Sequence, residues 1–191
     1  KTIEICAESG FKASPLCPKI IKIEVPESGD KTKACPYHHL VHLSSDRNWQ
    51  VNDKCYDISE MVHDSCFILP PGMEWFYRRI HPGYFVVPPY MEDCTPPEEY
   101  KIMEILYPRN FNKLYAPKEQ NGEPGKIVFE IAHRNEKAKL FWYLDEQYLC
   151  ETENFHQAGI TPESGFHKLT IIDDKGNRII KSFTVTSKLL N

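Results

Sequence analysis

Between residues 70 and 97 the chain carries Pro70-Pro71, Pro82, Pro88-Pro89 and Pro96-Pro97. Each proline removes a backbone donor and pushes the residue before it away from helical geometry, so neither a central strand nor a long helix is expected there. Six cysteines (Cys6, Cys17, Cys35, Cys55, Cys66 and Cys94) fall in this same half of the chain, and only Cys150 lies beyond it. Many cysteines and prolines with little periodicity point to an oxidising compartment, where cross-links stand in for a large core. Residues 1–99 therefore read as an irregular, disulfide-linked region. Seven cysteines leave at least one thiol unpaired, and the spacing fixes no connectivity. Joining sequence neighbours would pair Cys6 with Cys17, Cys35 with Cys55 and Cys66 with Cys94, with Cys150 left over.

Short stretches of this half still alternate with a period of two. Ile3 to Ala7, Ile20 to Val25 and Tyr37 to Leu43 read as strands, the second ending in a turn at Pro26-Glu27-Ser28-Gly29. Glu74 to Arg79 has room for one helical turn. Pro96-Pro97-Glu98-Glu99 is the natural boundary, and residues 100–191 follow a different grammar. Met103 to Leu106, Lys113 to Tyr115, Lys126 to Ala132, Leu140 to Leu144, Tyr148 to Glu151, His167 to Asp173 and Arg178 to Thr186 read as strands. Turns are expected at Asn121-Gly122-Glu123-Pro124-Gly125, at Asp145-Glu146 and at Asp174-Lys175-Gly176-Asn177. About seven short strands at this spacing predict an Ig-like antiparallel β-sandwich, so the fold class is mainly β.

Composition narrows the partners. The apolar share of 41% is globular, and a net charge of −4 without a basic block argues against nucleic acid. No apolar run approaches a membrane span. The chain starts at Lys1 with no leader-like segment, so it reads as part of a longer or processed polypeptide.

Few residues invite chemistry. Ser9-Gly10-Phe11-Lys12 and Ser28-Gly29-Asp30-Lys31 match the Ser-x-x-Lys pattern of acylating enzymes, which requires a serine at a helix N-terminus with lysine one turn on. Glycine follows each serine and neither companion motif occurs, so both matches read as chance. Cys35-Pro36-Tyr37-His38 has a zinc-compatible spacing, and Cys35, His38 and His42 form a candidate metal trio. A Cys35–Cys55 disulfide with structural histidines competes with it, and His39 would face away. His63 and His81 are isolated. His133, His156 and His167 lack a neighbouring nucleophile, and Cys150 sits in an apolar strand. Trp142 reads as a core residue rather than a sugar platform. Exposed aromatics are expected instead at Trp75, Phe76, Tyr77 and Tyr84. No catalytic residue, metal ligand or cofactor is assigned.

Several motifs in order resemble the C-terminal region of the penicillin-binding protein 1C family, in its Bacteroides-like form. They are Cys6-Ala7-Glu8-Ser9-Gly10 with Cys17, Cys35-Pro36-Tyr37-His38, Leu69-Pro70-Pro71 with Met73-Glu74, His81-Pro82, Pro88-Pro89 and Cys94. Ala132-His133-Arg134-Asn135, Trp142-Tyr143-Leu144-Asp145, Phe155-His156-Gln157 and Gly165-x-His167-x-Leu169 with Asp173 and Gly176 continue the series. The sequence departs from that pattern at Cys66, where an aromatic is expected, and at Cys150.

The resemblance implies a parent that polymerises and cross-links peptidoglycan through glycosyltransferase and serine transpeptidase domains. That parent would lie on the periplasmic side of the inner membrane, anchored by an N-terminal helix. None of its catalytic residues maps onto this chain. Residues 1–99 would be the tail leaving the transpeptidase domain, and 100–191 the C-terminal domain. Implied partners are that transpeptidase domain, an envelope protein of the bacterial α2-macroglobulin-like kind, or peptidoglycan. The rival readings are a carbohydrate-binding module and a zinc-dependent hydrolase on Cys35, His38 and His42.

Overall fold

The computed structural model describes residues 1–26, 28, 31–109, 112–116 and 125–186. The expected turns at 26–29 and 121–125, and the second Ser-x-x-Lys match, lie wholly or partly outside them. The chain divides into two compact units, residues 1–69 with 81–100 and residues 70–80 with 101–191.

The first unit holds two small antiparallel sheets. β1 (Thr2–Cys6) pairs with β2 (Ile20–Glu24), and β3 (His38–Leu43) pairs with β4 (Val62–Phe67). The strands are short because prolines and turns interrupt every apolar run. Val41, Leu43, Cys66 and Val87 form a small buried cluster supported by Val62 and Ile68. So modest a core is little for this length of chain, and covalent ties supplement it. One tie joins Cys55 to Cys94, with Cα atoms 5.2 Å apart. This corrects the neighbour pairing in all three places: Cys6 is not bonded to Cys17, Cys35 is not bonded to Cys55, and Cys66 is not bonded to Cys94. Cys6, Cys17, Cys35, Cys66 and Cys150 are free thiols.

Among the described residues the second unit is a β-sandwich with one helix. α1 (Pro71–Ile80) is a full ten-residue helix, longer than the single turn expected from Glu74 to Arg79. Pro71 does not oppose it, because the first helical position needs no N–H partner. Glu74 in its first turn and Arg78 and Arg79 in its last complement the helix dipole. One sheet has the order β10 (His156–Ile160), β7 (Ile127–His133), β5 (Met103–Tyr107). The other runs β6 (Lys113–Tyr115), β12 (Arg178–Thr186), β11 (Gly165–Asp173), β8 (Lys139–Leu144), β9 (Gln147–Glu153). All pairs are antiparallel except β6 with β12, which run parallel.

Between the sheets Phe129, Ile131, Leu140, Trp142, Leu169, Ile171, Phe183 and Val185 interdigitate, with Phe129 and Phe183 centroids 5.5 Å apart. Alternation along β7 and β11 puts these side chains inward and leaves Val128, Glu130, Phe166, Lys168 and Thr170 on the outer faces. Trp142 is fully buried, as its apolar neighbours implied. Asp145 and Glu146 both have positive φ, at 48° and 72°, the geometry of a tight two-residue hairpin between β8 and β9. Gly176 supplies a φ of 85° in the hairpin joining β11 to β12.

Candidate metal centre and the polar framework of the sandwich

Three loops of the first unit converge at one point. Cys6 ends β1, Cys17 follows the turn at Ser14, Cys35 lies three residues before His38, and His38 opens β3. Backbone bonds hold the loops together: Cys6 N–H to Phe11 carbonyl at 2.8 Å, Gly10 N–H to Cys6 carbonyl at 2.9 Å, and Cys35 N–H to Lys12 carbonyl at 2.8 Å. Gly10, at φ 72°, makes the reversal that lets the Cys6 loop close. The ligand atoms of Cys6, Cys17, Cys35 and His38 all lie within 4.8 Å of one another. His38 Nδ1 stands 3.5 Å from both the Cys6 and the Cys35 sulfur.

A polar shell surrounds these atoms. His38 Nε2 lies 2.8 Å from Glu8 Oε2, which leaves the Nδ1 lone pair facing the sulfurs. Ser9 Oγ donates to the Cys35 sulfur at 3.2 Å, and Ser14 N–H donates to the Cys17 sulfur at 3.3 Å. Phe67 packs against the His38 ring at 5.2 Å. Burial pushes the Cys6 thiol up, but bonds from the Ser9 hydroxyl and the Ser9 and Glu8 backbone outweigh it and hold it below the ordinary value. At Cys17 burial prevails over the Ser14 bonds, and that thiol stands above its ordinary value.

The sequence trio Cys35, His38 and His42 is therefore only partly brought together. His42 faces His63 across the β3–β4 pair, Nδ1 to Nδ1 at 2.7 Å, and takes no part in the cluster. Cys6 and Cys17 take its place, a convergence that their distance in sequence concealed. Ser9, the serine of the first Ser-x-x-Lys match, spends its hydroxyl on Cys35 and on accepting from Phe11 N–H at 3.3 Å.

The motif residues of the second unit form a framework. Ala132 is fully buried. Next to it, His133 Nε2 meets Asp173 Oδ2 at 3.2 Å, and Nδ1 accepts from Asn135 N–H at 3.0 Å. Asp173 also accepts from Lys175 N–H, Asn177 N–H and Asn177 Nδ2, closing the β11–β12 hairpin. Burial raises the Asp173 carboxyl, but these bonds outweigh it and hold it below the usual carboxylate range. Arg134 pairs with Glu74 of α1, itself 1% exposed, and donates to the Lys101 carbonyl at 2.9 Å. Gly72 N–H donates to Glu104 Oε2 at 3.0 Å, and a Cβ there would lie 3.0 Å from Leu106 Cδ2, so α1 sits close on β5. Trp142 Nε1 donates to Thr152 Oγ1 at 2.9 Å, which lies 3.1 Å from His156 Nδ1. Burial first, and the nearby His133 second, lower His156 to about 4.

The four expected interaction aromatics differ in exposure. Phe76 is exposed, while Trp75 and Tyr77 are half-buried and Arg79 stacks 3.4 Å over the Trp75 ring. Tyr84 belongs to the other unit and accepts from Leu69 N–H at 3.3 Å. Cys150 is half-buried rather than fully enclosed, and burial raises its thiol, which leaves it a poor nucleophile.

Residues 93–183, just under half of the chain, match the Penicillin-Binding Protein C-terminus Family. The match supports a C-terminal region of a bifunctional penicillin-binding protein. It runs over every sandwich strand from β5 into β12. The polar residues His133, Trp142 and Asp173 within the matched region tie its strands together, and Arg134 ties them to α1. A solved structure of fibronectin(III)-like modules of Clostridium thermocellum CbhA is 18% identical, covering 46% of this chain and 99% of that chain, with a TM-score of 0.35. No curated protein matches the chain. Among the described residues no helix is long and apolar enough to cross a membrane.

Proposed function

We propose that this chain is the non-catalytic interaction region of a bifunctional penicillin-binding protein of the 1C type, on the periplasmic side of the inner membrane. It docks against the transpeptidase domain of its own polypeptide and presents the sandwich to an envelope partner. The observation that carries this reading is that a penicillin-binding protein family match falls on a sandwich whose His133, Arg134, Trp142, His156 and Asp173 all serve its own framework. A hydrolytic zinc site is not favoured, because three cysteines and a histidine close a tetrahedron and leave no position for water.

The test is binding in two arms. The chain is mixed with the remainder of its parent polypeptide, and separately with insoluble peptidoglycan. Association with the parent's transpeptidase domain and no retention on peptidoglycan is expected. Saturable retention that soluble glycan strands displace would make the chain a carbohydrate-binding module instead.

A further inference from the structure

We propose that Cys6, Cys17, Cys35 and His38 bind one zinc ion that fastens the β1–β2 hairpin to the start of β3. Zinc held by three sulfurs and one nitrogen, at bond lengths of roughly 2.3 and 2.0 Å, puts sulfur–nitrogen edges at about 3.5 Å. Both sulfur–nitrogen distances to His38 Nδ1 stand at 3.5 Å, and the whole donor set fits within 4.8 Å. Thiolates with one imidazole select zinc over the hard cations that prefer oxygen.

The surroundings are those of a ligand shell. Glu8 accepts from His38 Nε2, an arrangement that fixes which ring nitrogen is left to bind metal and raises its basicity. Ser9 and Ser14 direct donors at the Cys35 and Cys17 sulfurs, as suits thiolate ligands. Cys6, Cys35 and His38 are buried, yet the apolar cluster of this unit gathers elsewhere, on Val41, Leu43, Cys66 and Val87. The Tyr37 and Phe67 rings pack beside His38, and a metal would tie the three thiols to it from within. Cys55 and Cys94 are joined in the same unit while Cys6, Cys17 and Cys35 form no disulfide, so a disulfide and a thiolate site coexist. Binding displaces one proton from each thiol, and no electron is transferred. With four protein ligands the ion is structural.

The test uses the full chain, purified without chelator from cells supplied with zinc. Elemental analysis should return one zinc per chain, and Co(II) exchanged into the same protein should show the intense visible bands of tetrahedral thiolate coordination. Cys35→Ser and His38→Ala should each lose the metal, whereas His42→Ala should retain it. Should the ligand variants fail to fold, the wild-type Co(II) spectrum and the release of zinc on thiol blocking still decide the matter. A reduced chain that takes up neither ion, a Cys6–Cys17 disulfide in metal-free native protein, or octahedral Co(II) bands would each overturn the assignment.

Discussion

Lowering the pH should loosen the sandwich at a place that can be named. His156 is 6% exposed, its Nδ1 is engaged with Thr152, and among the described residues its Nε2 is buried without a partner. Burial and the His133 ring beside it bring its pKa from 6.5 to about 4. Above pH 6.5 folded and unfolded chains both hold a neutral imidazole, and the group contributes nothing to the pH dependence. Between 6.5 and about 4 the unfolded state holds a proton that the folded state refuses, so stability falls as the pH falls. A gap of roughly 2.5 units at about 1.4 kcal/mol each makes the full loss about 3 kcal/mol, complete below pH 4. His167 opposes this: burial lowers it, but the Asp145 carboxylate outweighs burial and raises it, so its contribution is full below 6.5 and fades as the pH rises. Asp173 and Asp145, both lowered, lose theirs only in stronger acid. The stability of the sandwich should therefore pass through a maximum near neutrality. Hydrogen exchange of the Phe129–Ile131 and Leu140–Trp142 amides, followed from pH 7 to 4, reads that stability directly. His156→Gln should flatten the acid side by most of the expected loss, and His167→Gln should steepen it. An unchanged acid slope in the His156 variant would refute the reasoning.

Phe129→Ala removes a fully buried ring that packs on Phe183, and should cost the sandwich about 3–5 kcal/mol in chemical denaturation. Arg134→Met removes the cation paired with the buried Glu74 carboxylate. It should cost about 3 kcal/mol, with amide protection lost first in Pro71–Ile80 and core strands still protected. Cys55→Ser opens a loop of sequence separation 39, and in the chain-entropy account should destabilise the first unit by about 4 kcal/mol. That loss should appear as a lower thermal midpoint, and reduction of the wild-type chain should reproduce it.

The sandwich was legible because its signals are local. Period-two alternation in Ile127–Ile131 and Leu169–Ile171, and turn residues at Asp145-Glu146 and Asp174–Asn177, fix strand and hairpin within a few residues of each other. The parallel β6–β12 pair was not, since Lys113–Tyr115 reaches Thr184–Thr186 only through tertiary packing. β10 escaped for a different reason: Ala158 and Gly159 weaken its apolar pattern, and burial against β7 supplies what the pattern lacks. Proline density hid α1, because Pro70 and Pro71 oppose a helix interior yet suit the residue before a helix and its first position. At the candidate metal site only Cys35-x-x-His38 is contiguous. Cys6 and Cys17 arrive through the β1–β2 hairpin and the Lys12–Ala34 bridge, so pairing cysteines by proximity in sequence chose the wrong partners. The buried Arg134–Glu74 pair likewise joins residues sixty apart. Its one forewarning was that both lie in the motifs that carried the family resemblance.

A native mass spectrum of the unreduced full chain tests most directly how the first unit is held together. One zinc ion and a single disulfide, between Cys55 and Cys94, are expected in the same folded species. A metal-free folded species with two or three disulfides would contradict the account.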